Sequence, residues 1–168
     1  MGAAIVLRLA ARHPDRVGGV IGLGATAHTS RRYHGLLDHP GIDASMLAAT
    51  YTLGLCAPQS PQRNARENMW FYLQGAPGVY AGDIAFFDGG WDERSALRSI
   101  DPRRTPIAIV SGEYDYAATP DMAREAAAQL SEVYLEIVPE LGHFPMIENY
   151  PRLRPALARA LDHVSRSA

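Results

Sequence analysis

Two loops of this 168-residue chain carry side chains that could act together in acid–base chemistry. Asp115 lies just beyond an apolar run at residues 107–110, and His143 lies just beyond a second one at residues 134–138. The 28 positions between them give enough chain for one helix and one strand, so one βαβ crossover would bring the two loops side by side. Because sites form at the carboxyl ends of strands in open α/β sheets, this spacing favours an acid–histidine pair.

An aspartate and a histidine in contact could carry out part of a hydrolytic reaction. A carboxylate that accepts a hydrogen bond from imidazole Nδ1–H fixes the tautomer of the ring and stabilises the imidazolium. The imidazole then serves as general base toward a hydroxyl nucleophile and as general acid toward the leaving group. The alternatives are a turn or helix-capping aspartate for Asp115 and a lone loop histidine for His143. The presence of the histidine loop favours the catalytic interpretation of Asp115.

The residues around the pair leave the identity of the acid open. Glu113 lies in the same loop as Asp115, so either carboxylate could take that role by position alone. Gly142 directly precedes the histidine and permits an unusual backbone angle. Pro145 follows it and restricts the chain beyond.

A nucleophile for this pair is not evident in the sequence. Nine serines are present, and none lies in the Gly-x-Ser-x-Gly pattern that presents a serine on a strand-to-helix turn. Ser111 is nearest in sequence to the acid, but it ends a strand without such a turn. Since a serine needs a base within hydrogen-bond reach and donors aimed at the oxyanion, we predict that the chain holds no complete triad.

Three segments resemble parts of an α/β-hydrolase. Residues 1–10 resemble the helix after the nucleophile elbow, with the first two residues as the end of a Gly-His-Ser-Met-Gly pattern. Residues 111–120 resemble the acid loop, and residues 140–151 resemble the histidine loop. The family pattern Gly-x-x-Asp selects Asp115 over Glu113 as the acid. No residue matches the nucleophile, and no His-Gly-x-Gly oxyanion loop is present.

The resemblance covers nearly the whole chain and implies an α/β class, with a partial α/β-hydrolase fold. We expect a parallel sheet remnant of about three strands, flanking helices and a helical cap insertion. Residues 1–26 and 101–168 would form the C-terminal part of the core, and residues 27–100 would form the cap or lid. Three strands of a larger sheet would leave the first one with an exposed apolar edge, which predicts self-association or dependence on a missing N-terminal half.

The resemblance also implies a serine hydrolase that acts on a small carboxylic ester, lactone or thioester without cofactor or metal. Asp115 and His143 would be the acid and the base, and the backbone nitrogen of Met1 would be a vestige of the oxyanion hole. With the nucleophile absent, we expect the chain alone to be inactive, and we interpret Met1 as an internal methionine of a longer product. Alternatives are a non-catalytic binding or assembly module, half of a split hydrolase, or a dehalogenase, C–C hydrolase or perhydrolase on the same fold.

Hydrophobic periodicity and helix-breaking residues predict the secondary structure. Strands are predicted at 17–23, 107–111 and 133–138. Helices are predicted at 2–13, 30–38, 43–56, 61–74, 77–87, 92–98, 120–130 and 149–164.

Aromatic residues of the insert either pack its helices together or line a substrate pocket, and their large apolar area favours packing for most of them. The candidates for a pocket are His28, Trp70, Trp91 and Phe144. For His28 a solvent-exposed or structural role is favoured over contact with substrate.

Composition narrows the classes of partner and compartment. A formal net charge of −2 gives no electrostatic case for nucleic acid or an anionic membrane. The single Cys56 excludes an intrachain disulfide and predicts a buried, inert thiol rather than a metal cluster. No apolar run approaches the roughly 20 residues that span a bilayer, and no basic segment or cleavage site indicates a signal peptide. We therefore expect a cytoplasmic protein.

Overall fold

The computed structural model describes residues 1–29, 39, 41, 44–76, 78–88 and 90–166. Its sheet has three strands, all parallel, in the order β1-β2-β3. The strands are β1 (Val20–Leu23), β2 (Ile107–Gly112) and β3 (Tyr134–Val138). The predicted parallel remnant of three strands is confirmed.

Eight helices are found in the described residues. They are α1 (Gly2–Arg12), α2 (Ala44–Gly54), α3 (Gln62–Leu73), α4 (Val79–Asp88), α5 (Arg94–Arg98), α6 (Pro120–Ala127), α7 (Pro145–Glu148) and α8 (Tyr150–Arg166). The predicted helix at 30–38 lies outside the described residues. The single-turn helix α7 is not among the predicted elements, because four residues are too few to show a helical period.

The central strand β2 fixes the layers of the fold, since all six of its residues are buried. Ile107 and Ile109 pack in a cluster with residues of α1 and α6. Ala108 and Val110 pack in a second cluster with residues of α8. Because successive side chains of a strand point to opposite faces, the sheet is covered by helices on both sides, as a buried parallel sheet requires.

The first strand begins three residues later than predicted. The carbonyl of Val17 accepts a hydrogen bond from Thr105 Oγ1 at 3.1 Å, so a side chain takes the place of a ladder partner. Pairing with β2 starts only at Val20, whose N–H donates to the Pro106 carbonyl at 2.9 Å. Proline has no N–H to extend the ladder further back.

The long connection between β1 and β2, residues 27–100, is called the inserted segment here. Its described part holds α2 to α5 and one isolated antiparallel bridge, between His28 and Asp92. No helix in the described part of the chain is long and apolar enough to cross a membrane. Nor does any group of three or more His, Cys, Asp or Glu residues there have the arrangement to hold a metal ion.

We expect the free edge of β1 to cause self-association. Among the described residues β1 pairs only with β2, and a shallow apolar groove of about 190 Å³ runs between it and α1. Leu9, on the rim of this groove, is 44% exposed. A charge there should oppose burial of the groove against another chain, so Leu9→Glu should shift the protein toward monomer in sedimentation velocity experiments.

The matched control is Leu161→Glu, which introduces the same charge on α8 at a leucine that is 55% exposed. It should leave the association state unchanged. A wild-type protein that sediments as a monodisperse monomer and melts cooperatively would contradict the prediction.

Candidate active site

Asp115 is held by the turn that follows β2. Its N–H donates to the Gly112 carbonyl at 3.1 Å. Its Oδ1 accepts hydrogen bonds from the backbone N–H groups of Ala117 at 2.9 Å and Ala118 at 2.6 Å. Aspartate commonly forms such turns with the N–H groups two and three residues on. These backbone hydrogen bonds thus hold the carboxylate in one orientation independently of its contact with the histidine.

The structure brings Asp115 and His143 together. Nδ1 of His143 lies 2.9 Å from both carboxylate oxygens of Asp115. Because a carboxylate only accepts hydrogen bonds, this geometry assigns the proton to Nδ1 and leaves Nε2 able to accept one. The Asp115 side chain is 1% exposed and that of His143 is 27% exposed. The acid is therefore shielded, while the imidazole remains accessible.

The competing carboxylate, Glu113, points elsewhere. Its Oε2 accepts a hydrogen bond from the backbone N–H of Glu140 at 3.1 Å, so it links the acid loop to the turn after β3. Of the two carboxylates, Asp115 is the one in contact with the imidazole.

Glycines allow the backbone to approach closely around the pair. A Cβ on Gly142 would lie 2.2 Å from the Leu55 carbonyl oxygen, and one on Gly112 would lie 2.4 Å from the Leu141 carbonyl oxygen. Gly142 is therefore required by close packing and not by a positive φ. Gly24, after β1, does have a positive φ of 61° and faces the Asp115 carboxylate. Sequence reasoning missed this role of Gly24, although a glycine directly after a strand was a signal.

A cavity of about 200 Å³ opens beside the imidazole. Its walls come from α1 to α4 and from the loops after β1, β2 and β3. They are formed by Met1, Ala3, Ala4, Gly24, Thr26, Thr29, Tyr51, Thr52, Leu55, Tyr72, Tyr80, Asp83, Ile84, Ala117, Ala118, His143 and Phe144. Concave, mainly apolar sites of this kind bind small molecules.

Three aromatic rings organise one wall of the cavity. The Tyr72 ring makes edge contacts with Phe144 at 5.6 Å and with Tyr80 at 6.1 Å between ring centroids. Burial, more than the neighbouring Tyr80 and Asp83, raises the pKa of the Tyr72 phenol. Burial likewise raises the pKa of Tyr80. Both phenols stay neutral at ordinary pH and contribute apolar surface with a hydroxyl.

Of the four predicted pocket residues, only Phe144 is among those that line the cavity. Trp70 is 62% exposed on α3. It does not line this cavity, because Tyr72 presents the cavity face of that helix and residues two apart on a helix do not share a face.

Trp91 and His28 are also absent from the lining of this cavity. Trp91 is buried at the end of the inserted segment, where its carbonyl accepts the N–H of Thr29 at 3.0 Å. The His28 Nδ1 lies 3.4 Å from Glu125 Oε1 on α6, and neither residue is among those that line the cavity. For His28 this matches the structural role that the sequence favoured.

Met1 lies at the N-terminus of α1 and lines the same cavity as His143. Its carbonyl accepts the N–H groups of Ala4 and Ile5, at 2.9 and 3.2 Å. Met1 and His143 thus face the same cavity.

No serine or cysteine is among the described residues that line the cavity. Ser111 is 2% exposed, and its hydroxyl donates to the Ala118 carbonyl at 3.3 Å. Burial, followed by the charge of Glu148, raises the pKa of the Cys56 thiol to about 11. Because the thiolate is the reactive form of cysteine, Cys56 stays unreactive at neutral pH.

Solved structures of similar fold are named as hydrolases. The enol-lactonase from Burkholderia xenovorans LB400 matches with a TM-score of 0.79 and 22% identity, over 96% of this chain and 63% of that one. A thermophilic esterase from Thermogutta terrifontis matches with a TM-score of 0.80 and 18% identity, over 97% of this chain and 62% of that one. Est816, described as an N-acyl homoserine lactone degrading enzyme, matches with a TM-score of 0.71 and 21% identity, over 94% of this chain and 63% of that one.

No family model matches the sequence, and no curated protein sequence matches it at a significant level. At identities of 18 to 22% the structural similarity shows the fold. The chain has part of the α/β-hydrolase fold, and it spans 62 to 63% of the length of these three structures.

Proposed function

We propose that the chain carries the acid and the base of a serine hydrolase for carboxylic esters, lactones or thioesters, and that the nucleophile is not among its residues. The observation that carries this proposal is the contact of His143 Nδ1 with both oxygens of a buried Asp115, beside a cavity. The enol-lactonase and esterase names of the similar structures support the substrate class.

In this proposal each group has one chemical task. Asp115 keeps the proton on Nδ1 and stabilises the imidazolium. Nε2 of His143 takes the proton of a hydroxyl nucleophile and later gives it to the leaving group. The backbone nitrogen of Met1 would face the oxyanion once a residue precedes it. The inserted segment would act as the cap, because Tyr51, Tyr72 and Tyr80 form part of the cavity wall.

We expect the 168-residue protein alone to show no triad-dependent hydrolysis of p-nitrophenyl butyrate. An imidazole without a positioned nucleophile and oxyanion donors lacks most of the transition-state stabilisation. Wild type and His143→Ala should therefore hydrolyse the ester at the same rate, and neither should be labelled by a fluorophosphonate probe. Turnover that disappears in His143→Ala would contradict this expectation.

The source of the nucleophile is tested by the reading frame upstream of Met1. A frame encoding Gly-x-Ser directly before Met1 should give a longer product that the probe labels, with labelling reduced in His143→Ala. A longer product that carries this serine and reacts equally well without His143 would contradict the proposed base.

A second candidate is a non-catalytic assembly module or one half of a split hydrolase. The observation that favours it is the exposed apolar groove between α1 and β1. A stop codon with a ribosome-binding site just upstream of Met1 would favour this candidate. A dehalogenase, C–C hydrolase or perhydrolase would be distinguished by the type of nucleophile. A cytoplasmic location remains a prediction from the sequence.

A further inference from the structure

Glu148 is a buried carboxylate that the acid–base chemistry above does not use. It ends the short helix α7 and is fully buried. In the described part of the chain it forms no ion pair with an arginine or a histidine. An unpaired buried charge is costly unless hydrogen bonds compensate it, so the partners of this side chain indicate what holds it there.

Both oxygens of Glu148 accept hydrogen bonds, and their partners lie in two different parts of the chain. Oε1 accepts the backbone N–H of Gly142 at 2.5 Å. Oε2 accepts the backbone N–H of Ala57 at 2.8 Å and the Ser60 hydroxyl at 3.0 Å. The carboxylate form suits this site, because both backbone groups can only donate. The side chain therefore joins the turn that carries His143 to the loop between α2 and α3.

Backbone contacts reinforce this connection. The N–H of His143 itself donates to the Leu55 carbonyl at 2.8 Å. The main-chain carbonyl of Glu148 accepts the Asn64 side-chain amide at 3.0 Å. Together with the close approach at Gly142, these bonds press the histidine turn against residues 55–57 of the inserted segment.

We propose that Glu148 is the positioning residue of His143, and that through it the placement of the imidazole depends on the docking of α2 and α3. Oε1 of the carboxylate holds the N–H of Gly142, the residue directly before the histidine. Oε2 is held by Ala57 and Ser60 of the inserted segment. A displacement of these helices would shift the imidazole relative to Asp115. Substrate that fills the cavity between α2, α3 and His143 would then affect the alignment of the base.

The test measures the Nδ1–H proton of His143 by long-range ¹H–¹⁵N NMR in the 168-residue protein. In Glu148→Gln, one backbone N–H, of Gly142 or of Ala57, must face an amide NH₂ and lose its acceptor. The histidine turn should loosen, and exchange of Nδ1–H with water should become about tenfold faster, as expected when a hydrogen bond of roughly 1.4 kcal/mol is lost. Glu132→Gln, at an exposed glutamate, is the matched control and should exchange like wild type.

Glu148→Asp separates position from charge. It keeps the carboxylate but is one methylene too short to reach both loops, so it should also speed exchange. Suppose that Nδ1–H exchanges at the wild-type rate in Glu148→Asp but faster in Glu148→Gln. The charge alone would then matter, and the proposal would be overturned. The amide of Ile109 in β2 reports global opening, which the lost hydrogen bond also makes easier. Exchange of Nδ1–H should accelerate more than exchange at Ile109, whereas equal acceleration of both protons would mean a merely structural loss and would overturn the proposal.

If Glu148→Gln does not fold, Ser60→Ala decides the question. It removes one donor in the inserted segment without touching the histidine turn, and it should speed Nδ1–H exchange in the same direction. No change in this folded variant would overturn the proposal. The inference rests on the proposed function only for the role of His143, and the readout needs no turnover. If the protein hydrolyses no ester, the positioning role of Glu148 can still hold. If Nδ1–H exchange is unchanged in the variants, the positioning role is rejected even when the protein is active.

Discussion

Gly142→Ala is expected to lower the free energy of unfolding by about 3 kcal/mol, at the upper end of the usual range for overpacking. The added methyl would lie 2.2 Å from the Leu55 carbonyl oxygen and 2.8 Å from the Ala57 nitrogen. Both are backbone atoms, which cannot rotate away as the end of a side chain can. The histidine turn would have to separate from the inserted segment, with loss of the hydrogen bond from His143 to Leu55. Urea unfolding followed by circular dichroism measures the change.

Gly82→Ala provides the matched control, because Gly82 lies inside α4 and a Cβ there would meet no atom within 4 Å. Alanine is the better helix former, so this variant should gain up to about 1 kcal/mol. Equal stabilities for the two variants would mean that the close approach at Gly142 is wrong.

Asp115→Asn is expected to reverse the tautomer of His143. The remaining oxygen takes the place of Oδ1, where the N–H groups of Ala117 and Ala118 occupy both of its lone pairs. The amide NH₂ takes the place of Oδ2, 2.9 Å from Nδ1. Since that NH₂ only donates, Nδ1 must become the acceptor and Nε2 the protonated nitrogen. The ¹⁵N chemical shifts of the ring nitrogens should exchange their assignments. In a longer product that contains the nucleophile, hydrolysis should fall by about 10³ to 10⁴.

Asp121→Asn makes the same chemical change at an exposed carboxylate in the first turn of α6. It should leave both the tautomer and the rate unchanged. A ring that stays protonated at Nδ1 in Asp115→Asn would contradict the assigned hydrogen bond.

The sequence predicted the parts of this molecule that depend on local pattern. The apolar run of β2 lies between two helical layers, and its continuous hydrophobic character is what a buried parallel strand shows. The side chains of Asp115 and His143 could be paired from their positions after successive strands, because the crossover rule fixes which strand ends are neighbours.

What the sequence could not predict depends on tertiary packing. Which aromatic residues face the cavity is decided by how the inserted helices dock, and nothing in the local pattern of Trp70 or Trp91 shows that neither of them lines it. Glu148 follows an apolar turn and would be taken for a solvent-exposed glutamate, since two of its three side-chain donors, Ala57 and Ser60, lie 88 or more positions away. The requirement for Gly142 is hidden in the same way, because the atoms that exclude a Cβ there belong to a distant loop.

The order of the sheet has a consequence for how the chain assembles. The pairing of β2 with β3 closes a loop of 21 residues (113–133), whereas the pairing of β1 with β2 closes one of 83 residues (24–106). The longer closure costs about 1.2 kcal/mol more in chain entropy. The less costly closure is the one that delivers the carboxylate and the imidazole to neighbouring positions. Asp115 and His143 can therefore meet before β1 joins the sheet. Gly24, which follows β1, then packs against a pair that has already formed.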